Sequence, residues 1–323
     1  MFAGVKVLVT GCSGFLGPWL CQRLLAEHAD VVGADIQFDQ QSRIHELGDQ
    51  IRLVELNVEH LDTIENVLRE HEIQFVFHLA AQALVGKALE QPLATITTNV
   101  MGTTYILEAA RRLQNSPGSL KGIVVGSSDK AYGDQDELPY LESAPMQGRY
   151  PYDVSKSCAD LIARSYFLSY QLPVTVVRCG NLYGGGDLNW SRIVPGTIRS
   201  VLNGERPIVR SDGTLVRDYI YVEDAVDAIV RLGIQHLQGA TAGGEAFNIS
   251  ADEPLAVIDL VNMILALAER TDLTALIENT AIGEIKAQYL SSRHLRETTG
   301  WQPSTAIQEG LAKSFEWYRA RLN

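Results

Sequence analysis

Gly4-Val5-Lys6-Val7-Leu8-Val9-Thr10-Gly11-Cys12-Ser13-Gly14-Phe15-Leu16-Gly17 is the stretch on which the fold turns. Its first half is a short, mostly apolar, valine-rich run, as expected of a strand buried in a parallel sheet. A glycine turn follows, and residues 15–27 then show the spacing of an amphipathic helix. Strand, glycine turn and helix in that order are the setting of a dinucleotide-binding loop. Gly11 makes the tight turn, Gly14 lets a pyrophosphate approach the backbone, and Gly17 permits close helix packing. Ser13, Phe15 and Leu16 complete the loop, where free N–H groups and the positive end of the helix dipole meet the phosphates. A loop that merely needs glycine would carry the same three residues.

Working outward, a second strand over 31–34 ends at Asp35, 18 residues beyond Gly17. A carboxylate there can accept hydrogen bonds from the adenosine ribose and would repel a 2′-phosphate, which favours NAD over NADP. An N-cap or a solvated acid is the other use of such a residue. The alternation continues with strands at 51–56, 75–79, 122–125 and 174–178, and helices at 61–71, 93–112, 152–170 and 191–202. It predicts an α/β fold, a doubly wound parallel (Rossmann) sheet with ligands at the carboxyl ends of its strands. Leu79-Ala80-Ala81 falls at one such end, small enough for a backbone passing close to the cofactor, or for packing against a helix. Beyond residue 180 the alternation weakens. Residues 1–180 are expected to form the NAD-binding domain, with 215–236 returning to it, and 181–323 mainly a smaller C-terminal substrate-binding lobe that includes short elements at 245–249, 256–268 and 305–321.

Tyr152 and Lys156 lie four apart in what reads as the first turn of a helix, so they share a face. An ammonium held close to a phenol lowers its pKa from about 10. Such a pair can take a proton from an alcohol while a neighbouring nicotinamide takes the hydride. Ser127-Ser128-Asp129-Lys130 ends another strand; Asp129 and Lys130 read locally either as chemistry or as an ion pair at a strand end.

Acidic residues outnumber basic ones 39 to 27, for a net charge of -12, which argues against nucleic-acid or anionic-membrane binding. No apolar run approaches a membrane span. Residues 1–10 lead into a strand without a signal-peptide layout. Cys12, Cys21, Cys158 and Cys179 show no metal-type pairing, so no metal is expected, and they fit reduced thiols in a cytoplasmic protein.

These residues resemble the extended short-chain dehydrogenase/reductase family of NAD-dependent nucleotide-sugar epimerases and dehydratases. Residues 10–17 look like its cofactor loop, Tyr152 and Lys156 like its catalytic pair, and Arg217-Asp218-Tyr219-Ile220-Tyr221-Val222-Glu223-Asp224 like its substrate-lobe signature. Within it, the likeness is nearest to the CDP-glucose 4,6-dehydratases. It is carried by residues 77–85, Glu90-Gln91-Pro92 with 98–103, Ser128-Asp129-Lys130, and Gly184-Gly185-Gly186-Asp187 with Arg192-Ile193-Val194-Pro195. Gly86-Lys87-Ala88 and the epimerase-like form of residues 217–221 depart from those enzymes. The resemblance implies that Tyr152, assisted by Ser128, deprotonates the 4-hydroxyl, that Lys130 takes the proton from carbon 5, and that Asp129 protonates the departing 6-hydroxyl. It implies diphosphate contacts from Asn181, Arg192 and Arg217, and a homodimer built on helices 93–112 and 152–170, whose surplus apolar positions include Val100, Ile106, Leu161, Phe167 and Leu168. A nucleotide-sugar 4-epimerase would need Tyr152, Lys156 and NAD but no second acid/base pair. A non-catalytic NAD-binding regulatory protein would need the fold alone.

Overall fold

The computed structural model describes residues 1–114, 120–241, 243–280 and 284–322. The chain runs β1 (Lys6–Thr10), α1 (Leu16–Ala26), β2 (Asp30–Asp35), β3 (Arg52–Glu55), α2 (Leu61–Glu70), β4 (Phe75–His78), α3 (Val85–Glu90), α4 (Pro92–Ile96), α5 (Gly102–Leu113), β5 (Gly122–Ser128), α6 (Pro151–Tyr170) and β6 (Val174–Cys179). There follow β7 (Asn181–Tyr183), α7 (Ile193–Leu202), β8 (Ile208–Val209), β9 (Val216–Tyr221), α8 (Val222–Leu237), β10 (Ala246–Ile249) and β11 (Pro254–Ala256). The last elements are α9 (Val257–Leu267), β12 (Leu276–Ile277), β13 (Ala287–Gln288), α10 (Arg293–Thr299) and α11 (Ile307–Leu322). Among the described residues, no helix is long and apolar enough to cross a membrane.

The main sheet has seven parallel strands in the order β10-β6-β5-β4-β1-β2-β3. Both its faces are covered, which is why its strands read as continuous apolar runs. Val7, Val9, Phe75, Phe77 and Val124 pack on one face with residues of α1 and α8. Leu8, Val76, Ile123 and Val125 pack on the other with residues of α2, α5 and α6. Strand order reverses between β1 and β4, so a crevice opens at their carboxyl ends. Gly11 holds φ +72° there, and a Cβ on it would lie 2.7 Å from Ala80 N. A Cβ on Gly17 would lie 2.4 Å from Gly11 O.

A smaller sheet, β11-β9-β13 with β7 also on β9, is packed by α7, α9 and α11 around Val194, Ile198, Leu260, Ile264, Leu311 and Tyr318. The boundary expected from sequence is corrected in two places. Residues 245–249 were expected in the smaller lobe, yet Ala246–Ile249 is the fully buried outer strand of the main sheet, paired with β6. Segment 215–236 divides: β9 stays in the small sheet, and α8 returns to the main one against α1 and β5. The single helix expected over 93–112 is α4 and α5 joined by a π-helical turn, Thr97–Met101. Four-residue runs and extra-residue turns carry too little periodicity to be assigned from sequence.

Asp218 fastens the small sheet to the main one. It is fully buried on β9, and its carboxyl accepts from the Ser250 hydroxyl and from Ala251 N (3.3 Å), both just beyond β10. Burial pushes its pKa from 3.8 up to about 7, against the lowering effect of those hydrogen bonds. The folded state therefore holds this proton more tightly than the unfolded chain. The stability it contributes is complete below 3.8 and is lost as pH rises through about 7. Unfolding free energy should fall across this window, and Asp218→Asn should flatten the fall. Denaturant titrations at several pH values with equal slopes for both proteins would contradict this.

Candidate active site

The crevice at the strand ends holds ≈ 1670 Å³. Single-ligand clefts are usually about 300–1,000 Å³, so there is room for a dinucleotide and a second ligand. Gly11, Ser13, Gly14, Phe15, Leu16, Gly17, Asp35, Leu79, Ala80 and Ala81 line it, as do Ser128, Asp129, Lys130, Tyr152, Lys156, Asn181, Arg192 and Arg217. All the catalytic, cofactor and substrate candidates singled out from sequence are thus brought to one cavity.

At the dinucleotide end, α1 starts at Leu16 with no side-chain cap among the described residues and no acid in its first turn, an arrangement that suits an anion at its N–H groups. Asp35 Oδ2 accepts from Ser13 N (3.0 Å) and Ser13 Oγ (2.6 Å), and Oδ1 accepts from Ile36 N (2.8 Å). Its carboxylate is therefore held in place at the end of β2. Leu79 N donates to Thr10 O (3.1 Å) and Ala80 N to Thr10 Oγ1 (3.3 Å), which draws the chain after β4 against the glycine turn. His78, beneath it, lies between the hydroxyls of Thr10 (2.8 Å) and Thr103 (3.1 Å). Burial, with the Lys156 charge nearby, pulls its pKa down to about 3, so it is a neutral tether. Asn99, in the π-helical turn, accepts from Gln82 N (2.7 Å) and donates to Gln82 O (3.1 Å) and Ser155 Oγ (2.8 Å). It links the cofactor-side loop to the first turn of α6. The sequence places it within the 98–103 likeness but gives it no role; a π-turn, common at functional sites, has no sequence period of its own.

At the end of β5, Ser128 Oγ donates to Asp129 Oδ1 (2.9 Å) and accepts from Lys130 N (3.2 Å), opening a short 3-10 turn, Asp129–Tyr132. Asp129 is buried, and its Oδ2 has no hydrogen-bond partner among the described residues. Lys130 Nζ donates to Gln288 Oε1 (2.5 Å), and among the described residues no ion pair joins it to Asp129. Tyr152 and Lys156 are both buried in the first turns of α6. The expected lowering of the Tyr152 pKa by Lys156 is not what the structure shows. Burial pushes Tyr152 up to about 12, opposed by the Ser128 hydroxyl and the Arg192 charge. Lys156 Nζ donates to Gly126 O (2.9 Å), and burial lowers it to about 8.

The small lobe supplies the remaining residues. Asn181 Nδ2 donates to Asp218 O (3.2 Å), Arg192 pairs with Asp187 (2.9 Å), and Arg217 pairs with Glu284 (2.9 Å).

A family model described as GDP-mannose 4,6 dehydratase matches residues 8–314. The chain belongs to that family. A UDP-glucose 4-epimerase of Mycolicibacterium smegmatis is 30% identical over 98% of this chain and 99% of its own length. A CDP-glucose 4,6-dehydratase of Salmonella typhimurium is 29% identical over 98% of this chain and 91% of its own. A dTDP-glucose 4,6-dehydratase of Bacillus anthracis, solved in complex with NAD, superposes with TM-score 0.86 at 25% identity, covering 98% of this chain and 97% of its own. The chain is accordingly an enzyme of the NAD-dependent epimerase/dehydratase kind, and identities of 30% and 29% do not separate the two reactions.

A fixed carboxylate at Asp35 would repel a 2′-phosphate. Calorimetric titration should show NAD bound more tightly than NADP. Asp35→Ala should weaken NAD by roughly 10- to 100-fold, the loss of hydrogen bonds to a charged group, and narrow the preference. Equal or tighter NADP binding by the wild-type protein would contradict this.

Proposed function

We propose that the enzyme is a nucleotide-sugar 4,6-dehydratase, converting a CDP-glucose-like NDP-hexose to the NDP-4-keto-6-deoxyhexose with NAD as a recycled cofactor. The observation that carries the reading is the arrangement of Asp129 and Lys130 beside Ser128 and Tyr152. A strand-end ion pair would join Asp129 to Lys130, whereas among the described residues one buried Asp129 oxygen has no partner and Lys130 donates to a neutral amide. NAD, held by the glycine turn of residues 11–17 and by Asp35, would supply the hydride acceptor at carbon 4 and later the donor, while the Ser128 hydroxyl and the Arg192 charge favour the Tyr152 phenolate. Tyr152 takes the proton of the 4-hydroxyl, with Ser128 bonded to the same oxygen. Lys130 takes the proton from carbon 5, acidified by the 4-ketone, and Asp129 gives a proton to the departing 6-hydroxyl. Arg217, Arg192 and Asn181 hold the diphosphate, so Glu284 and Asp187 give up their arginines when substrate enters. The small lobe carries the substrate, and the main lobe carries the cofactor.

A 4-epimerase is the second reading, favoured by the M. smegmatis relative and by the epimerase-like form of residues 217–221. It leaves Asp129 and Lys130 without a chemical task. Lys130→Met tests the choice while keeping most of the side-chain volume. The variant should still oxidise carbon 4 and accumulate reduced nicotinamide, seen by absorbance, while elimination slows by roughly 10²- to 10⁴-fold. Tyr152→Phe should accumulate none. Near wild-type turnover by Lys130→Met would remove the dehydratase reading.

We further propose that two copies associate through α4 and α6. Leu93 on α4 is 79% exposed, and Leu161 and Leu168 on α6 are 51% and 74% exposed; the two helices are neighbours. Ile106 and Phe167, expected on that face, pack into the core instead. Cores take the wider apolar faces first, leaving the outer leucines for a partner. Light scattering at micromolar concentration should give a dimer mass; a monomer would contradict it.

A further inference from the structure

Gln288 is fully buried, and both ends of its amide are spent on the corner where Asp129 and Lys130 lie. Oε1 accepts from Lys130 Nζ at 2.5 Å, and Nε2 donates to the Asp129 carbonyl at 3.1 Å. An ammonium only donates and a carbonyl only accepts, so these two partners fix which end of the amide is which. The strand that carries it comes from the other lobe. β13 runs parallel to β9, with Gln288 in register with Arg217, the residue that holds the diphosphate in the reading above. Just beyond, Tyr289 O accepts from Tyr140 N (2.9 Å) and Ser291 N donates to Tyr140 O (3.0 Å). Residues 287–291 are therefore fastened to the small sheet at one end and to the loop after the 3-10 turn at the other.

The side-chain type matters. Asp129 and, on α6, Asp153, whose burial-raised pKa the Lys130 charge opposes, already face this lysine. A further carboxylate in direct contact at this position would favour its charged form more, and an aliphatic residue would leave its nitrogen without this acceptor. A neutral amide fixes the nitrogen's place and still lets the proton go. We propose that Gln288 is the positioning residue of the second acid/base pair, a role that rests on the dehydratase reading: it sets where the Lys130 nitrogen and the Asp129 carbonyl lie, so elimination depends on it and oxidation at carbon 4 does not.

Two variants of the full chain test this, with CDP-, UDP-, GDP- and dTDP-glucose as probes. Reduced nicotinamide absorbance follows the oxidation step. Solvent deuterium entering the product and loss of water, by mass spectrometry, follow elimination. Gln288→Leu should oxidise within about 2-fold of wild type and eliminate roughly 10²-fold more slowly, the cost of a reacting group displaced by about an ångström. Gln288→Glu keeps the volume and an acceptor. It should move the pH profile of elimination upward by roughly one unit, because a carboxylate favours the charged lysine, and leave that of oxidation in place. A merely structural role would slow both steps together and move neither profile. Should Gln288→Leu fail to fold, by circular dichroism, the pH profiles of Gln288→Glu decide alone. Equal slowing of both steps, or unchanged elimination with an unmoved profile, overturns the proposal while wild-type water loss leaves the dehydratase reading standing. Wild-type protein that releases no water from any probe overturns that reading and the proposal with it.

Discussion

A parallel sheet buried on both faces has only its strand ends left for chemistry, and this constraint organises the whole molecule. β1 delivers the glycine turn, β2 delivers Asp35, β4 the small residues at 79–81, and β5 Ser128, Asp129 and Lys130, all at the carboxyl edge. The helices that seal the faces are then free to present groups back over that edge. α6 does so with Tyr152 and Lys156. Closeness at the edge is enforced by backbone contact: the approach of Gly11 to Ala80 tolerates no side chain on the glycine.

The second lobe closes the crevice and is held to the first through a few buried polar residues. Asp218 reaches Ser250 and Ala251, and Gln288 reaches Lys130 and Asp129. Both sit on the small sheet, one on β9 and one on β13, beside Arg217 in sequence or in register. The strand pair that contacts substrate in the proposed function is thus the one that contacts the Asp129–Lys130 corner. Such an arrangement can tie capture of the diphosphate to placement of the acid/base pair.

Much of this was legible in the chain itself, and the failures share a physical cause. The glycine turn after a valine run, the acid at 35 and the Tyr-Lys spacing at 152 and 156 are local patterns, and each fell on the element expected of it. The fate of residues 245–249 was not local: a four-residue apolar run joins whichever sheet edge is open, and that was β6. The effect of Lys156 on Tyr152 was misjudged because spacing says nothing of burial, which dominates both groups. Gln288 lies 158 residues from Lys130, and no sequence period links them. Asp129 and Lys130 were visible as a pair of letters, but only the structure shows that each is held apart from the other.

In the proposed function, what separates a dehydratase from an epimerase is the chemistry assigned to Asp129 and Lys130, and water loss reports that directly. Purified wild-type protein incubated with CDP-, UDP-, GDP- and dTDP-hexoses in deuterated water, followed by mass spectrometry, is the most direct measurement. The account predicts that one sugar nucleotide loses one water and gains solvent deuterium at carbon 5. Interconversion of 4-epimers with no change in mass would contradict it.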